Sequence, residues 1–188
     1  MLDLFTAFGL AGSAGLNAYI PLLLVALAAR FPLNEPLLNL TEPYSVLGSW
    51  WAIGIISVVL VIEMLVDKVP AVDTINDMIQ TFVRPAAGAV LFAANANIVN
   101  DIHPVLALGA GLIVAGSVHA VKGVSRPVVT AITAVTVNLL VSLLEDVVAF
   151  FTSILAIFLP VLGAVLLVIL LIYGWRRYRR RQRRTAFR

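Results

Sequence analysis

Of 188 residues, 61% are hydrophobic and only 12% are charged, with a mean hydropathy of +1.03. Soluble domains run at about half apolar and about a quarter charged, so an ordinary soluble domain is excluded and a membrane chain is expected. There is no cysteine, which rules out disulfides, thiolate metal sites and cysteine nucleophiles.

The formal charge of +3 hides an asymmetry. Eight arginines, Arg176, Arg177, Arg179, Arg180, Arg181, Arg183, Arg184 and Arg188, lie in the tail, and without those eight the rest carries −5. A basic tail after an apolar helix reads as a cytosolic anchor on anionic lipid, not as a nucleic-acid module. The opening MLDLFTAFG lacks the basic start of a cleaved signal peptide, so the first helix is expected to stay.

In chain order, Leu4 to Phe31 is a long apolar run whose small and polar interruptions predict a tilt, kink or break near Gly15-Leu-Asn17. Pro32 to Gly48 is a proline-rich loop. Ser49 to Val66 reads as a second span, with Tyr44, Trp50 and Trp51 marking its outer end as an aromatic belt. Ala71 to Arg84 reads as a short amphipathic helix between Pro70 and Pro85, interfacial, re-entrant or packed over the other helices. Its Asp73, Asp77, Gln80 and Arg84 form one stripe opposite an apolar arc. Pro85 to about Val99 is a third span and Val105 to Val121 a fourth, broken by Lys122-Gly-Val-Ser-Arg126-Pro127. Val128 to Leu144 is a fifth, with Asn138, Ser142 and Glu145 on one stripe and Glu145-Asp146 closing it. Val147 to Trp175 is a sixth, kinked at Pro160.

The expected fold is therefore an all-α polytopic membrane helix bundle of about six transmembrane spans plus one short helix. It forms a single domain over 1–175, with a basic cytosolic tail over 176–188. With both termini inside, twelve of the thirteen basic residues fall on the cytosolic side and only Arg30 outside.

The candidate site is the stretch Glu63 to Gly88, joined by later residues. Charged and polar groups within a bilayer are costly, so Glu63, Asp67, Asp73, Asp77, Arg84, Lys122, Arg126, Asn138 and Glu145 are singled out as ligand-binding candidates. Arg84-Pro85 and Arg126-Pro127 each open an expected span, so each arginine would sit beside a helix N-terminus, an arrangement that suits phosphate. The competing reading is that both arginines snorkel to headgroups. The carboxylates, with His119 approaching, suit a divalent cation, or else Lys68 and Arg84 neutralise them as ion pairs. No Ser-His-Asp grouping, phosphate loop or zinc motif is found, and no cofactor is expected.

The sequence resembles a family of bacterial integral membrane proteins known as a domain of unknown function. The resemblance is carried by Gly15-Leu-Asn-Ala-Tyr-Ile-Pro21 and by Glu63-x3-Asp67-Lys68-x-Pro70-x2-Asp73-x2-Asn76-Asp77-x6-Arg84-Pro85-x2-Gly88. His119-x2-Lys122-x3-Arg126-Pro127 and Ser142-x2-Glu145-Asp146 extend it. It implies a multi-pass bacterial inner-membrane protein and brings no activity. The function expected is a small transporter or channel-like protein for an anionic or phosphorylated ligand, a phosphorylated lipid or a small anion. The alternatives are a metal-dependent membrane enzyme acting on a phospho-lipid, and a structural or partner-binding protein. Membrane lipids are the expected partners, nucleic acid is not, and a homo-oligomer is allowed.

Overall fold

The computed structural model describes residues 2–32, 36–66, 70–95, 102–132, 135–159 and most of 165–176; within these, side chains of 2–3, 70–75, 125–132 and 135–139 are not described. It is an all-α bundle. The helices are α1 (Leu2–Leu16), α2 (Tyr19–Arg30), α3 (Trp50–Val66), α4 (Pro70–Ala93), α5 (Pro104–Ile132) and α6 (Val135–Phe158), with a 3-10 turn at Tyr44–Gly48 before α3. Residues 165–176 are helical wherever they are described.

The first run does break where its polar interruptions lie, at Asn17-Ala18, yet it is not one broken span. Phe8 stacks edge-on against Phe92 at 5.0 Å, and Leu4 and Ala7 pack with Ala93, Tyr44 and Ala107, so α1 starts beside the end of α4 and the start of α5. The end of α2 lies there too. The Leu38 N–H donates to the Ala28 carbonyl (3.1 Å) and, three residues on, the Thr41 N–H donates to the Ala94 carbonyl (3.1 Å). Both ends of the pair therefore share one end of the bundle, and α1–α2 is a helical hairpin. Its turn lies 13 residues beyond Leu4, a rise of about 20 Å. The arms diverge: α1 packs on α4, α5 and α6, and α2 on α3 and α6.

Three further boundaries differ from expectation. α4 runs through Pro85 as one helix, so the amphipathic segment and the third span are continuous. Proline removes a single backbone donor, and a well-packed helix tolerates that loss when neighbours hold it. That packing is close. A Cβ on Gly88 would sit against Ala115 Cβ and 2.9 Å from the Gly111 carbonyl, so the glycines let α4 and α5 meet backbone to backbone. α5 likewise runs unbroken through Lys122 to Pro127. α6 carries Glu145-Asp146 at mid-length, where the sequence reading had ended a helix. The expected kink at Pro160 and the tail 177–188 lie outside the described residues.

The count of spans changes with the boundaries. Among the described residues, two segments are long and apolar enough to cross a membrane, Pro104–Val124 in α5 and Leu140–Phe158 in α6, where six spans were expected. α1, α2 and α3 are apolar but shorter, and the first half of α4 is too polar.

The amphipathic stripe is oriented inward. Gln80 and Arg84 are buried, Arg84 with 0% exposure, while Met78, Ile79 and Phe82 of the apolar arc face out, Phe82 at 80%. The same inversion holds for α3, where Glu63 is buried and Trp51 is 84% exposed.

Candidate functional site: a polar cluster at the hairpin tip

A helical hairpin that turns inside a bundle leaves orphan backbone groups at its tip. The end of α1 lacks donors for its carbonyls, and the start of α2 lacks acceptors for its N–H groups. Both are met by side chains. Tyr19 N and Ile20 N donate to Asn17 Oδ1 at 3.0 and 3.2 Å. Lys122 Nζ donates to the Leu16 carbonyl at 3.1 Å.

With Oδ1 engaged by two backbone donors, the amide nitrogen of Asn17 must point the other way. It donates to Glu63 Oε2 on α3 (2.6 Å) and to Asp146 Oδ1 on α6 (2.9 Å). One buried amide thus makes four hydrogen bonds and ties the tip to two other helices.

The second oxygen of Glu63 pairs with Arg84 of α4 at 3.2 Å, both side chains being almost wholly buried. Arg84 Nη1 lies 3.4 Å from His119 Nδ1, and Thr81 Oγ1 lies 3.2 Å from His119 Nε2. Guanidinium can only donate, so Nδ1 is the acceptor and Nε2 carries the proton given to Thr81. Thr81 in turn donates to the Asp77 carbonyl (2.8 Å). A continuous polar chain therefore runs from Thr81 near the surface, through His119, Arg84, Glu63 and Asn17, to Asp146 in the interior.

A second ion pair flanks it, Lys122 with Glu145 at 2.8 Å. On the adjoining face of α1, the hydroxyls of Ser13 and Ser153 lie 2.6 Å apart and both reach the Ala149 carbonyl at 2.7 Å. On α4, Gln80 Oε1 and Arg84 Nε, an acceptor and a donor one turn apart, are buried with no protein hydrogen-bond partner.

Of the residues singled out from the sequence, Glu63, Arg84, Lys122 and Glu145 converge here. Asp77 is half-buried nearer the surface, its backbone bonded to Thr81. Asp67 lies outside the described residues, as do the side chains of Asp73, Arg126 and Asn138. The Ser142–Glu145 stripe faces inward, Ser142 being buried. Neither Arg84-Pro85 nor Arg126-Pro127 begins a helix, so the helix N-termini invoked there for phosphate do not exist. Among the described residues, no group of three or more His, Asp or Glu is placed to hold a metal ion.

Sequence reasoning passed over the two residues that organise the cluster. From the sequence, Asn17 reads as an interruption and Asp146 as a helix terminator, and both carry the family resemblance, but neither stands among the candidate ligand-binding residues. The usable signal for Asn17 was a lone amide deep in an apolar run, where an unsatisfied polar group is costly.

No curated protein and no solved structure matches the chain. A family model does, over residues 4–180, and the chain accordingly belongs to the family described as domain of unknown function DUF4126.

Proposed function

We propose that this is a multi-pass membrane protein of the transporter class, whose site is the polar cluster at the tip of a re-entrant hairpin. The observation that carries the reading is the inversion of polarity: a buried Arg84–Glu63 pair inside and exposed Trp51 and Phe82 outside. In water such an exterior is an aggregation hazard; in a bilayer it is the stable arrangement. The two long apolar segments support it, since only 17% and 33% of their residues are buried, whereas the core helix of a soluble protein is mostly buried.

On this reading α1–α2 enters from one face and returns to it, while α3, α4, α5, α6 and the 165–176 stretch cross. Arg30 then lies on the hairpin's open side, and Lys68, Arg126 and the arginine tail on the other. The positive-inside rule makes the tail cytosolic and the N-terminus external, which differs from the two cytosolic termini expected from sequence. α3 is a short crossing, 17 residues or about 26 Å, acceptable where the bilayer thins locally.

Broken elements whose turns sit at membrane depth and are held by side chains recur where membrane proteins bind and move solutes. The ligand favoured by the charge count is a cation. Among the described residues the tip gathers three acceptor-only carboxylates, Glu63, Glu145 and Asp146, beside Arg84 and Lys122, and an oxygen-rich lining of this kind suits a small cation. An anion would have to approach these carboxylates, and no helix N-terminus lies at Arg84 or Arg126 to hold a phosphate. The test is ion flux in proteoliposomes of the full chain under imposed Na+, K+ and proton gradients. Flux of one of these ions, abolished by Asp146→Asn, is expected. That change keeps an oxygen for Asn17 while removing the charge. Absence of flux of all three ions would overturn the reading.

A further inference from the structure

Beside the hairpin tip, on the face away from Arg84, α1, α5 and α6 enclose a cavity of about 270 Å³, with Leu170 of the last helical stretch on its fourth side. This is just under the roughly 300–1,000 Å³ of small-molecule sites. Its walls are aliphatic, chiefly Leu16, Val118, Val141, Leu144 and Val148. Among the described residues, the polar groups reaching it are the Lys122–Glu145 pair and the hydroxyls of Ser13 and Thr152. Along its aliphatic walls water finds no partners, so that part of the cavity is filled by an apolar chain or forfeits contacts.

We propose that this cavity binds the hydrocarbon chain of a single-chain amphiphile with a neutral, hydroxyl-bearing head placed at Glu145. The inference goes beyond ion transport and depends only on the bilayer setting.

Three observations select the ligand. Leu144 and Val121 are lining residues that are also exposed on the outer surface, so the cavity opens sideways, towards where a bilayer would be rather than to water. Within the ion pair, the Glu145 side chain keeps 15% exposure and Lys122 only 4%, because the lysine is drawn inward onto the Leu16 carbonyl. Among the described residues, the member of the pair nearer the opening is therefore a carboxylate, whose acceptor oxygens reward a hydroxyl donor over an anionic head. Ser13 and Thr152, at mid-depth, are already largely engaged or buried and leave the adjoining wall to the chain.

The full chain in lipid nanodiscs is to be photolabelled with three diazirine probes sharing one sixteen-carbon chain: a primary alcohol, the corresponding carboxylate, and a phospholipid bearing that chain. The alcohol is expected to label α1, α5 and α6 around Leu16 and Val148, saturably against unlabelled alcohol. Val148→Phe or Val141→Phe, which fill the cavity, should lower the saturable labelling about tenfold, a loss of roughly 1.4 kcal/mol in binding. Val58→Phe, on the exposed face of α3, should leave it unchanged. Glu145→Gln should bring carboxylate labelling up to that of the alcohol. Labelling that does not saturate, or that persists in both filled variants with parental melting temperatures, would overturn the site. Equal saturable labelling of the parent by the phospholipid or carboxylate would overturn the hydroxyl assignment. Ion flux has no part in these readouts, so failure here and failure of the transport reading are separable.

Discussion

Replacing Asn17 with aspartate is the sharpest single perturbation of the hairpin tip. The two residues have nearly the same shape, and aspartate still accepts from Tyr19 N and Ile20 N, so the cap of α2 survives. What disappears are the two donors to Glu63 Oε2 and Asp146 Oδ1. Hydrogen bonds to charged groups contribute about 1.5–3 kcal/mol each, whereas polar contacts within membranes average about 0.6 and reach about 1.7 kcal/mol. Two bonds at the top of the membrane range give about 3 kcal/mol, and a third carboxylate against two others adds repulsion. Asn17→Ala loses the same donors and the cap, worth roughly a further 1 kcal/mol, but adds no charge.

The expected order of stability is thus parent, then alanine, then aspartate, provided repulsion exceeds the cap. At about 2–4 °C per kcal/mol for a chain of this size, the aspartate variant should melt roughly 6–12 °C or more below the parent. Thermal unfolding of purified protein in detergent, followed by tryptophan fluorescence and by retention of the monodisperse peak, reads this directly. If Asn17→Asp melts with the parent, the amide is not the donor to both carboxylates and the tip has been misread.

Gly88→Leu should fail to yield folded protein or cost about 1–3 kcal/mol or more by overpacking the α4–α5 contact, while Gly54→Leu, with nothing within 4 Å of its Cβ, should behave as parent on the same melting assay. Lys122→Met should cost about 3–5 kcal/mol by removing the cation paired with Glu145 and the donor to the Leu16 carbonyl. Adding Glu145→Gln should restore part of that loss, and a double-mutant cycle showing purely additive costs would contradict the ion pair. Since the chain has no native cysteine, Asp3→Cys and Leu37→Cys should react with an impermeant thiol reagent from one side of sealed vesicles and Gln182→Cys from the other. Joint labelling of Asp3→Cys and Gln182→Cys would exclude the hairpin.

The helical class and most of the apolar segments were legible from periodicity and composition, because those depend on local pattern alone. The boundaries were not, and for one recurrent reason. Pro85, Lys122 to Pro127 and Glu145-Asp146 all carry breaker or terminator chemistry, yet each lies inside a helix. A breaker ends a helix when its freed backbone groups can turn to water. Where the alternative is a dry interior, continuing the helix and losing one hydrogen bond is the lower-energy choice. Local rules of this kind were derived from water-facing helices, and they fail together when the surroundings change.

The site shows the complementary limit. Glu63, Arg84, Lys122 and Glu145 were visible because a charge in an apolar sequence is conspicuous wherever it ends up. Their partners were not, since partnership is set by the hairpin, and a run of 28 residues with a polar interruption fits a kinked span as well as a turn. The hairpin decides the chemistry. As one span, residues 4–31 would put Asn17 beside whatever helix passes at mid-depth, and its amide would have no required orientation. As a hairpin, the free N–H groups of α2 claim Oδ1, which forces Nδ2 outward and makes two carboxylates from separate helices converge on it. The meeting of Glu63 and Asp146 at the tip thus follows from backbone geometry at Asn17, and a ligand that engages these carboxylates would bear directly on how firmly the hairpin is held.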